Sequence, residues 1–428
     1  MLKSKTLQTK LASAHPVVLA VIAGAAAFFT YSCMYAFRKP FTATSYDGMP
    51  DFLGLDYKSA LVISQVIGYA ISKFLGIKIV SEAKNDRRAV SILILILIAE
   101  LALLGFALTK PPIQPFFMFL NGLPIGMVWG LVFSYLEGRR FTEVMGLILC
   151  ASFIFASASV KDVGKYLMNE GIVEMWMPAV TGLCFAIPLL LSVWLLDHVP
   201  PPDDWDKAER TERKPMNAVE RMQVFRRFAF GLIMLVAVYT MLTAYRDFRD
   251  NFMEDILVDM RGESHDVRFS KIETPVSVVV LFSLMAMVLV KDSMKAFVLN
   301  HVVLAAGMAS AGIATWLFQA GLISDVVWLG ITGFGTYVAY IPVNCMLFDR
   351  MIAAFRQVSN VGFFIYVADS IGYLGSVAVL IYKDFFVADL SWVEFFISIS
   401  WALSILGVIG VALSLAYFLR LYRSESKL

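Results

Sequence analysis

Long runs of apolar residues, separated by short polar segments, dominate this sequence. A membrane-spanning helix needs about 20 mostly apolar residues, and runs of that length recur along the whole chain. The pattern predicts twelve spans, at residues 16–37, 58–80, 88–109, 115–136, 143–168, 176–197, 228–251, 272–291, 295–319, 324–348, 358–382 and 393–419. We therefore predict an all-α membrane protein with twelve transmembrane helices.

One long polar segment interrupts the apolar pattern. It reads VPPPDDWDKAERTERKPMNAVERMQVFRR, residues 199–227, and combines prolines with charges of both signs, which is typical of a solvated linker. Six predicted spans precede it and six follow. We predict an N-terminal six-helix half at 1–198, a cytoplasmic linker at 199–227 and a C-terminal six-helix half at 228–428.

The two predicted halves share sequence patterns. YSCMYAFRKPF (31–41) and YTMLTAYRDFR (239–249) both have a tyrosine, an alanine five residues later, an aromatic residue and an arginine. SYLEGRRFTEVMG (134–146) and MLFDRMIAAFRQVSNVG (346–362) share an acid, a nearby arginine and a later glycine at almost the same offset. Two matches at one offset indicate a duplicated, pseudo-symmetric pair of six-helix bundles.

Composition agrees with a membrane protein and narrows the function. Apolar types make up 59% of the 428 residues and charged types 16%, against roughly 45–50% and 25% in soluble domains. The net charge of +2 gives no sign of nucleic-acid binding. The sequence contains no hydrolytic or nucleotide-binding motif and no metal-ligand spacing, so we expect no enzyme activity and no cofactor.

Charge also predicts the orientation. Basic residues are concentrated in alternate loops, around residues 3–10, 84–88, 139–140, 207–227, 291–295, 350–356 and 420–427. Because cytoplasmic loops carry the excess of lysine and arginine, both termini are predicted to be cytoplasmic. We expect a multi-pass protein of the cell (inner) membrane whose first span is retained.

Two arginines occupy equivalent positions in the predicted halves, Arg38 and Arg246. A charge in the hydrocarbon core costs at least about 2.5–3.5 kcal/mol, so it is expected to face a cavity or a partner. Two guanidinium groups near the middle of the membrane suit a doubly charged anion, which arginine binds through a planar donor fork. Asp247 and Asp250 are candidates to neutralise or latch around Arg246. The alternative is that both arginines extend to the membrane surface.

Aromatic and basic residues near Arg38 extend this candidate site. Tyr31 and Tyr35 precede Arg38 at helical spacing, and Lys39 follows it. In the second span Tyr69 and Lys73 are four residues apart. We predict that these side chains help to bind the substrate.

Further charged residues lie within predicted spans, among them Glu100, Lys161, Asp162, Lys165 and Asp369. Each is a candidate proton relay, ion-pair switch or substrate contact. The alternative for Lys161, Asp162 and Lys165 is that they mark the outer end of a slightly shorter helix.

The motifs YSCMYAFRKPF (31–41), GYAISKFLG (68–76) and GMVWG (126–130) carry a family resemblance. The sequence resembles the organophosphate:phosphate antiporters of the major facilitator superfamily, which include the glycerol-3-phosphate and hexose-phosphate carriers. This resemblance implies the major facilitator fold and alternating access. It also implies phosphate binding by the matching residues, which are Arg38, Arg246, Lys39, Tyr31, Tyr35, Tyr69, Lys73 and Trp129.

The resemblance implies a secondary active transporter that exchanges a phosphorylated metabolite for phosphate. Two alternatives stay open: a symporter that couples a small organic anion to protons, and a sensor of the same fold that binds phosphate esters without transporting them. The expected partners are a small anionic solute, inorganic phosphate or protons, and the lipid bilayer. We expect a monomer.

Overall fold

The computed structural model describes residues 4–81, 87–139, 141–202, 206, 218–262, 268–357 and 361–425. The described chain is built of α-helices joined by short loops. They are α1 Lys5–Ala12, α2 Pro16–Tyr35, α3 Tyr57–Ser81, α4 Arg88–Leu108, α5 Gln114–Phe133, α6 Thr142–Asn169, α7 Met177–Cys184, α8 Ala186–Asp197, α9 Ala218–Asn251, α10 Met253–Arg261, α11 Phe269–Val288, α12 Ser293–Gln319, α13 Asp325–Pro342, α14 Phe348–Ala354, α15 Val361–Phe386, α16 Trp392–Ala402 and α17 Val408–Glu425. A 3-10 helix follows α2 at Pro40–Ala43.

The helices confirm the predicted all-α membrane architecture. Within the described residues, 11 helical segments are long and apolar enough to cross a membrane, and the pair α7 and α8, bent by 44°, makes a twelfth if it is one span. Single turns of π-helix at Val343–Leu347 and Leu403–Gly407 join α13 to α14 and α16 to α17. One boundary differs clearly from the prediction, because α9 begins at residue 218, inside the predicted linker.

The distribution of polar side chains is that of a protein surrounded by lipid. Leu97 and Leu101 on α4 are more than half exposed, whereas Lys58 and Asn121 are fully buried. Apolar surface is stable against hydrocarbon, and a polar group in the membrane must find a protein partner. The outward side chains of the spans therefore suit lipid contact.

The chain forms two compact units. The first contains Met1–Arg210, Asp250–Ser277 and Leu380–Asp389, and the second contains Thr211–Arg249, Val278–Val379 and Leu390–Leu428. The boundary between Arg249 and Asp250 falls within helix α9. Most of the predicted linker, residues 203–205 and 207–217, lies outside the described residues, and the division into halves stays a prediction.

Close packing of α3 against α5 fixes the centre of the first unit. A Cβ atom at Gly122 would lie 2.1 Å from the backbone oxygen of Gln65, and one at Gly126 would lie 2.7 Å from that of Tyr69. These glycines let the two backbones approach as in small-residue helix contacts of membrane proteins. The contact holds Gln65 and Tyr69 of α3 at fixed positions relative to α5.

In the second unit, glycines likewise allow close backbone contact between α12 and α13. A Cβ atom at Gly307 would lie 2.4 Å from the backbone oxygen of Gly335, so these helices also meet at glycine. Trp328 of α13 stacks on Phe318 of α12 with ring centroids 4.2 Å apart. Backbone contact and aromatic stacking together define this helix pair.

Candidate substrate-binding site

Arg38 lies in a turn just after α2. The helix ends at Tyr35, and Pro40 begins the following 3-10 helix; a proline lacks the N–H that would continue an α-helix. The predicted common helical face therefore ends at Tyr35 and does not extend to Arg38. Gln65 donates a hydrogen bond to the backbone oxygen of Arg38 over 2.9 Å and so ties the turn to α3.

Two cations of the first unit, Arg38 and Lys73, both lie close to the ring of Tyr69. The guanidinium carbon of Arg38 lies 4.0 Å from the ring centre of Tyr69 and 6.0 Å from that of Tyr35. The Lys73 ammonium lies 5.5 Å from the ring centre of Tyr69 and 5.3 Å from that of Trp129. We call these five residues the Arg38 cluster. All five are less than a tenth exposed, so both charges are removed from bulk solvent.

Tyr31 extends the Arg38 cluster along α2. Its ring packs edge-to-face on Tyr35 with centroids 5.5 Å apart and also contacts Phe153 of α6. The first unit thus brings together six of the predicted substrate-binding residues, which are Tyr31, Tyr35, Arg38, Tyr69, Lys73 and Trp129.

Lys39 contacts acidic and amide groups at the end of α9. Its ammonium lies 2.5 Å from Asp250 Oδ2 and donates to Asn251 Oδ1 over 2.7 Å. The other carboxylate oxygen of Asp250 accepts hydrogen bonds from Lys161, over 2.9 Å, and from Ser157, over 2.6 Å. We call these residues the Asp250 cluster. Asp250, predicted as a latch near Arg246, therefore holds two lysines of the first unit, and the substrate role of Lys39 stays a prediction.

Two further ion pairs hold α10 in the first unit. Lys58 lies 2.5 Å from Asp255 Oδ2, and Lys165 lies 2.5 Å from Glu254 Oε2. Burial raises the pKa of the Asp255 carboxyl above its ordinary value, while the Lys58 ammonium acts in the opposite direction. Nothing in the sequence pattern singled out Lys58, Glu254 or Asp255; each is charged and lies close to the end of an apolar run.

Asp162 caps the N-terminus of α11. Its carboxylate accepts hydrogen bonds from the backbone N–H of Phe269, over 2.7 Å, and of Ser270, over 3.0 Å, and from the Ser270 hydroxyl. The first N–H groups of a helix have no partner within the helix, and a carboxylate also interacts favourably with this end of the helix dipole. This geometry gives the predicted gating residue Asp162 a capping contact.

We expect Asp162→Ala to lower the stability of the purified protein by about 1.5–3 kcal/mol, the range for hydrogen bonds to a charged group. The measurement is the thermal unfolding midpoint in detergent. Asp162→Asn keeps an oxygen acceptor at the same place and should cost less than the alanine variant. Equal midpoints for the wild type and Asp162→Ala would contradict the capping role.

In the second unit, Arg246 is neutralised by its neighbour. Its guanidinium donates to Asp247 Oδ1 over 2.6 Å and to the Tyr373 hydroxyl over 3.3 Å, and it lies 4.1 Å from the ring centre of Tyr340. The second oxygen of Asp247 accepts a hydrogen bond from Ser376 over 2.8 Å. Asp247 therefore contacts Arg246 directly, as the predicted neutralising role requires. Asp250 instead contacts Lys39 and Lys161.

Asp369 belongs to a polar group beside Arg246. It accepts a hydrogen bond from the Tyr239 hydroxyl, which in turn accepts one from the Asn344 amide over 3.1 Å. The rings of Tyr239 and Tyr340 stack with centroids 5.1 Å apart. Asn344, Tyr340 and Tyr373 were not predicted as site residues, although Asn344 is an amide within a predicted span and so a recognisable signal.

Comparisons with solved structures identify the fold. The nucleoside transporter NupG aligns with a TM-score of 0.60 at 13% identity, over 92% of this chain and 98% of that one. A D-xylose-proton symporter aligns with a TM-score of 0.59 at 15% identity, over 94% and 97%. The major facilitator superfamily proton:xylose symporter XylE aligns with a TM-score of 0.56 at 14% identity, over 93% and 95%. The chain has the major facilitator fold.

Comparisons of sequence are more restricted. No curated protein matches the chain. One family model, described as a family of unknown function, DUF5690, matches residues 40–421, which is most of the chain.

Proposed function

We propose that this chain, which belongs to the family of unknown function DUF5690, is a secondary transporter that carries a small organic anion across a membrane. The solved structures that share its fold include a nucleoside transporter and proton symporters for xylose. Their common activity, transport of a small solute, supports a transport role here. The nature of the solute is argued from the residues of this chain.

The Arg38 cluster is the observation that carries the proposal. Arg38 and Lys73 are both buried and both lie over the ring of Tyr69. Two like charges so placed repel each other in a region of low dielectric constant, and an anion bound between them relieves that repulsion. The Tyr69 ring lies against the Arg38 guanidinium, and hydrogen bonds to an anion use the edge of the guanidinium plane.

A phosphate group fits this site better than a single carboxylate. It carries up to two negative charges, and arginine binds it through two parallel N–H···O bonds. Lys73 adds a second charge from α3, and tyrosine hydroxyls are further donors. We therefore propose a phosphorylated metabolite as the solute and inorganic phosphate as the ion for which it is exchanged.

Exchange follows from the same electrostatics. A bound anion lowers the repulsion between Arg38 and Lys73, so the loaded site can be enclosed by apolar helices at a lower free-energy cost than the empty site. Reorientation of the loaded form alone would couple the outward movement of one anion to the inward movement of another.

The test uses purified protein in proteoliposomes loaded with inorganic phosphate. With no proton gradient imposed, we expect labelled phosphate outside to enter only when phosphate is present inside, and sugar phosphates outside to compete. A thermal-shift screen with phosphate, sugar phosphates, carboxylates and sulfated sugars then ranks the ligands. Stabilisation by a ligand without any flux would point to a sensor, and the absence of both would refute an anion site.

A second candidate function is uptake of the same anion together with protons. Glu100 favours it, because this carboxyl is buried in a membrane-spanning helix, and the Asn121 amide bonds both the residue before Glu100 and the residue before Arg38. Net uptake that follows the proton gradient and needs no internal phosphate would distinguish this function from exchange.

A further inference from the structure

Glu100 is a buried carboxyl group in the middle of the membrane-spanning helix α4. Its side chain is 5% exposed, and neither carboxyl oxygen has a hydrogen-bond partner among the residues that the structure describes. A Cβ atom at Gly182 of α7 would lie 2.4 Å from Glu100 Oε2, so the carboxyl fills the space that this glycine leaves. The group is thus enclosed by protein.

The helices packed against α4 offer Glu100 few charges. Neither α5 nor α7 contains an acidic or basic residue, and Cys184 at the end of α7 is exposed. The one charged residue of helix α8 is Asp197, at its last position, which accepts a hydrogen bond from the Tyr135 hydroxyl. Arg38 follows α2 and is stacked on an aromatic ring. An ionised carboxylate in such surroundings costs several kcal/mol, whereas the neutral acid costs far less.

Hydrogen bonds join the Glu100 segment to the Arg38 segment. The side-chain amide of Asn121 donates to the backbone oxygen of Ala99, over 3.0 Å, and to that of Phe37, over 2.9 Å. Gln65 donates to the oxygen of Asn121 over 2.8 Å and to the backbone oxygen of Arg38 over 2.9 Å. The backbone next to Glu100 and the turn that carries Arg38 are therefore held by one network of two amide side chains.

We propose that Glu100 binds the proton that accompanies the anion, so that a proton gradient drives net uptake in addition to exchange. In the conformation described here the carboxyl holds its proton. When water reaches Glu100 on the side of low proton concentration, its O–H bond breaks, the proton passes to that water and the carboxylate remains. One proton is taken up from the opposite side before the next cycle. The change in charge is transmitted through Asn121 and Gln65 to Arg38.

This inference rests on the proposed transport function, and its first test is independent of transport. A protonated carboxyl has a C=O stretching band that a carboxylate lacks. We expect the infrared spectrum of the wild type at neutral pH to contain such a band that is missing from Glu100→Gln, which has nearly the same shape and stays neutral. The exposed residue Glu170 supplies the control, since Glu170→Gln should leave the band in place. Identical spectra for the wild type and Glu100→Gln would overturn the inference.

The second test separates coupling from binding. In proteoliposomes we expect Glu100→Gln to keep phosphate–phosphate exchange and to lose accumulation of phosphate driven by an imposed proton gradient, while Glu170→Gln keeps both. Proton-driven accumulation by Glu100→Gln would overturn the coupling role. If the wild type shows no phosphate flux at all, the proposed function fails, and the infrared band alone then decides whether Glu100 binds a proton.

Discussion

Arg38→Ala should lose phosphate binding and phosphate exchange while the protein still inserts and folds. Hydrogen bonds to a charged group are worth about 1.5–3 kcal/mol, which corresponds to a loss of affinity of roughly tenfold to more than a hundredfold. The variant also removes one of the two cations that lie over the Tyr69 ring, so Lys73 is the cation of the Arg38 cluster that remains. The measurement is the phosphate concentration that gives half-maximal exchange in proteoliposomes, together with the thermal shift that phosphate produces.

Two variants make this result specific. Arg38→Lys keeps the charge and loses the planar donor fork, so its affinity should fall between that of the wild type and that of Arg38→Ala. Arg227→Ala removes a more exposed arginine that pairs with Glu425, and it should exchange phosphate like the wild type. Normal affinity in Arg38→Ala would refute the Arg38 cluster as the anion site.

The spans and most of the Arg38 cluster could be predicted because both depend on residues that are close together in the sequence. Apolar runs identify membrane helices because every backbone group in lipid must be bonded within the helix, so local composition is enough. Tyr35 and Arg38 are close in sequence, and Tyr69 and Lys73 are one helical turn apart. Only the contact between these two short segments depends on tertiary structure, and the hydrogen bond from Gln65 of α3 to the backbone oxygen of Arg38 helps to hold them together.

The partners of the charged residues could not be predicted in this way. Asp250 lies one turn from Arg246 in the sequence, yet its carboxylate contacts Lys39 and Lys161. Helical spacing shows which residues share a face, but it does not show which element lies opposite that face. The same limit hid the contact of Asp162 with the first residues of α11.

Equivalent positions in a sequence repeat do not imply equal charge environments. Arg246 is bonded to Asp247, whereas the residue after Arg38 is Lys39, a second cation. The adjacent acid of Arg246 is therefore its direct ion-pair partner, whereas the residue next to Arg38 is a cation that contacts Asp250. We therefore propose that Arg38 and Lys73 contribute most of the anion binding. Arg246→Ala is expected to reduce exchange less than Arg38→Ala when both variants are assayed in the same proteoliposomes.

The Asp250 cluster combines three charges in a small buried space. Lys39 and Lys161 are almost fully buried, and both contact the one carboxylate of Asp250. The carboxylate compensates two ammonium groups that would otherwise repel each other. Removal of one partner from a buried pair leaves an uncompensated charge and costs about 3–5 kcal/mol. Here the loss of Asp250 removes the carboxylate that both ammonium groups contact.

Asp250→Asn is therefore expected to lower the stability of the protein by at least about 3–5 kcal/mol, seen as a lower unfolding midpoint in detergent. Lys161→Met should cost less, because Lys39 still compensates Asp250. Adding Lys161→Met to Asp250→Asn should recover part of the loss, since it removes one of the two repelling cations, and a double-mutant cycle measures the coupling between them. Asp389→Asn, at an exposed acid of the same unit, serves as the control. Additive effects of Asp250→Asn and Lys161→Met would show that the two charges do not stabilise each other.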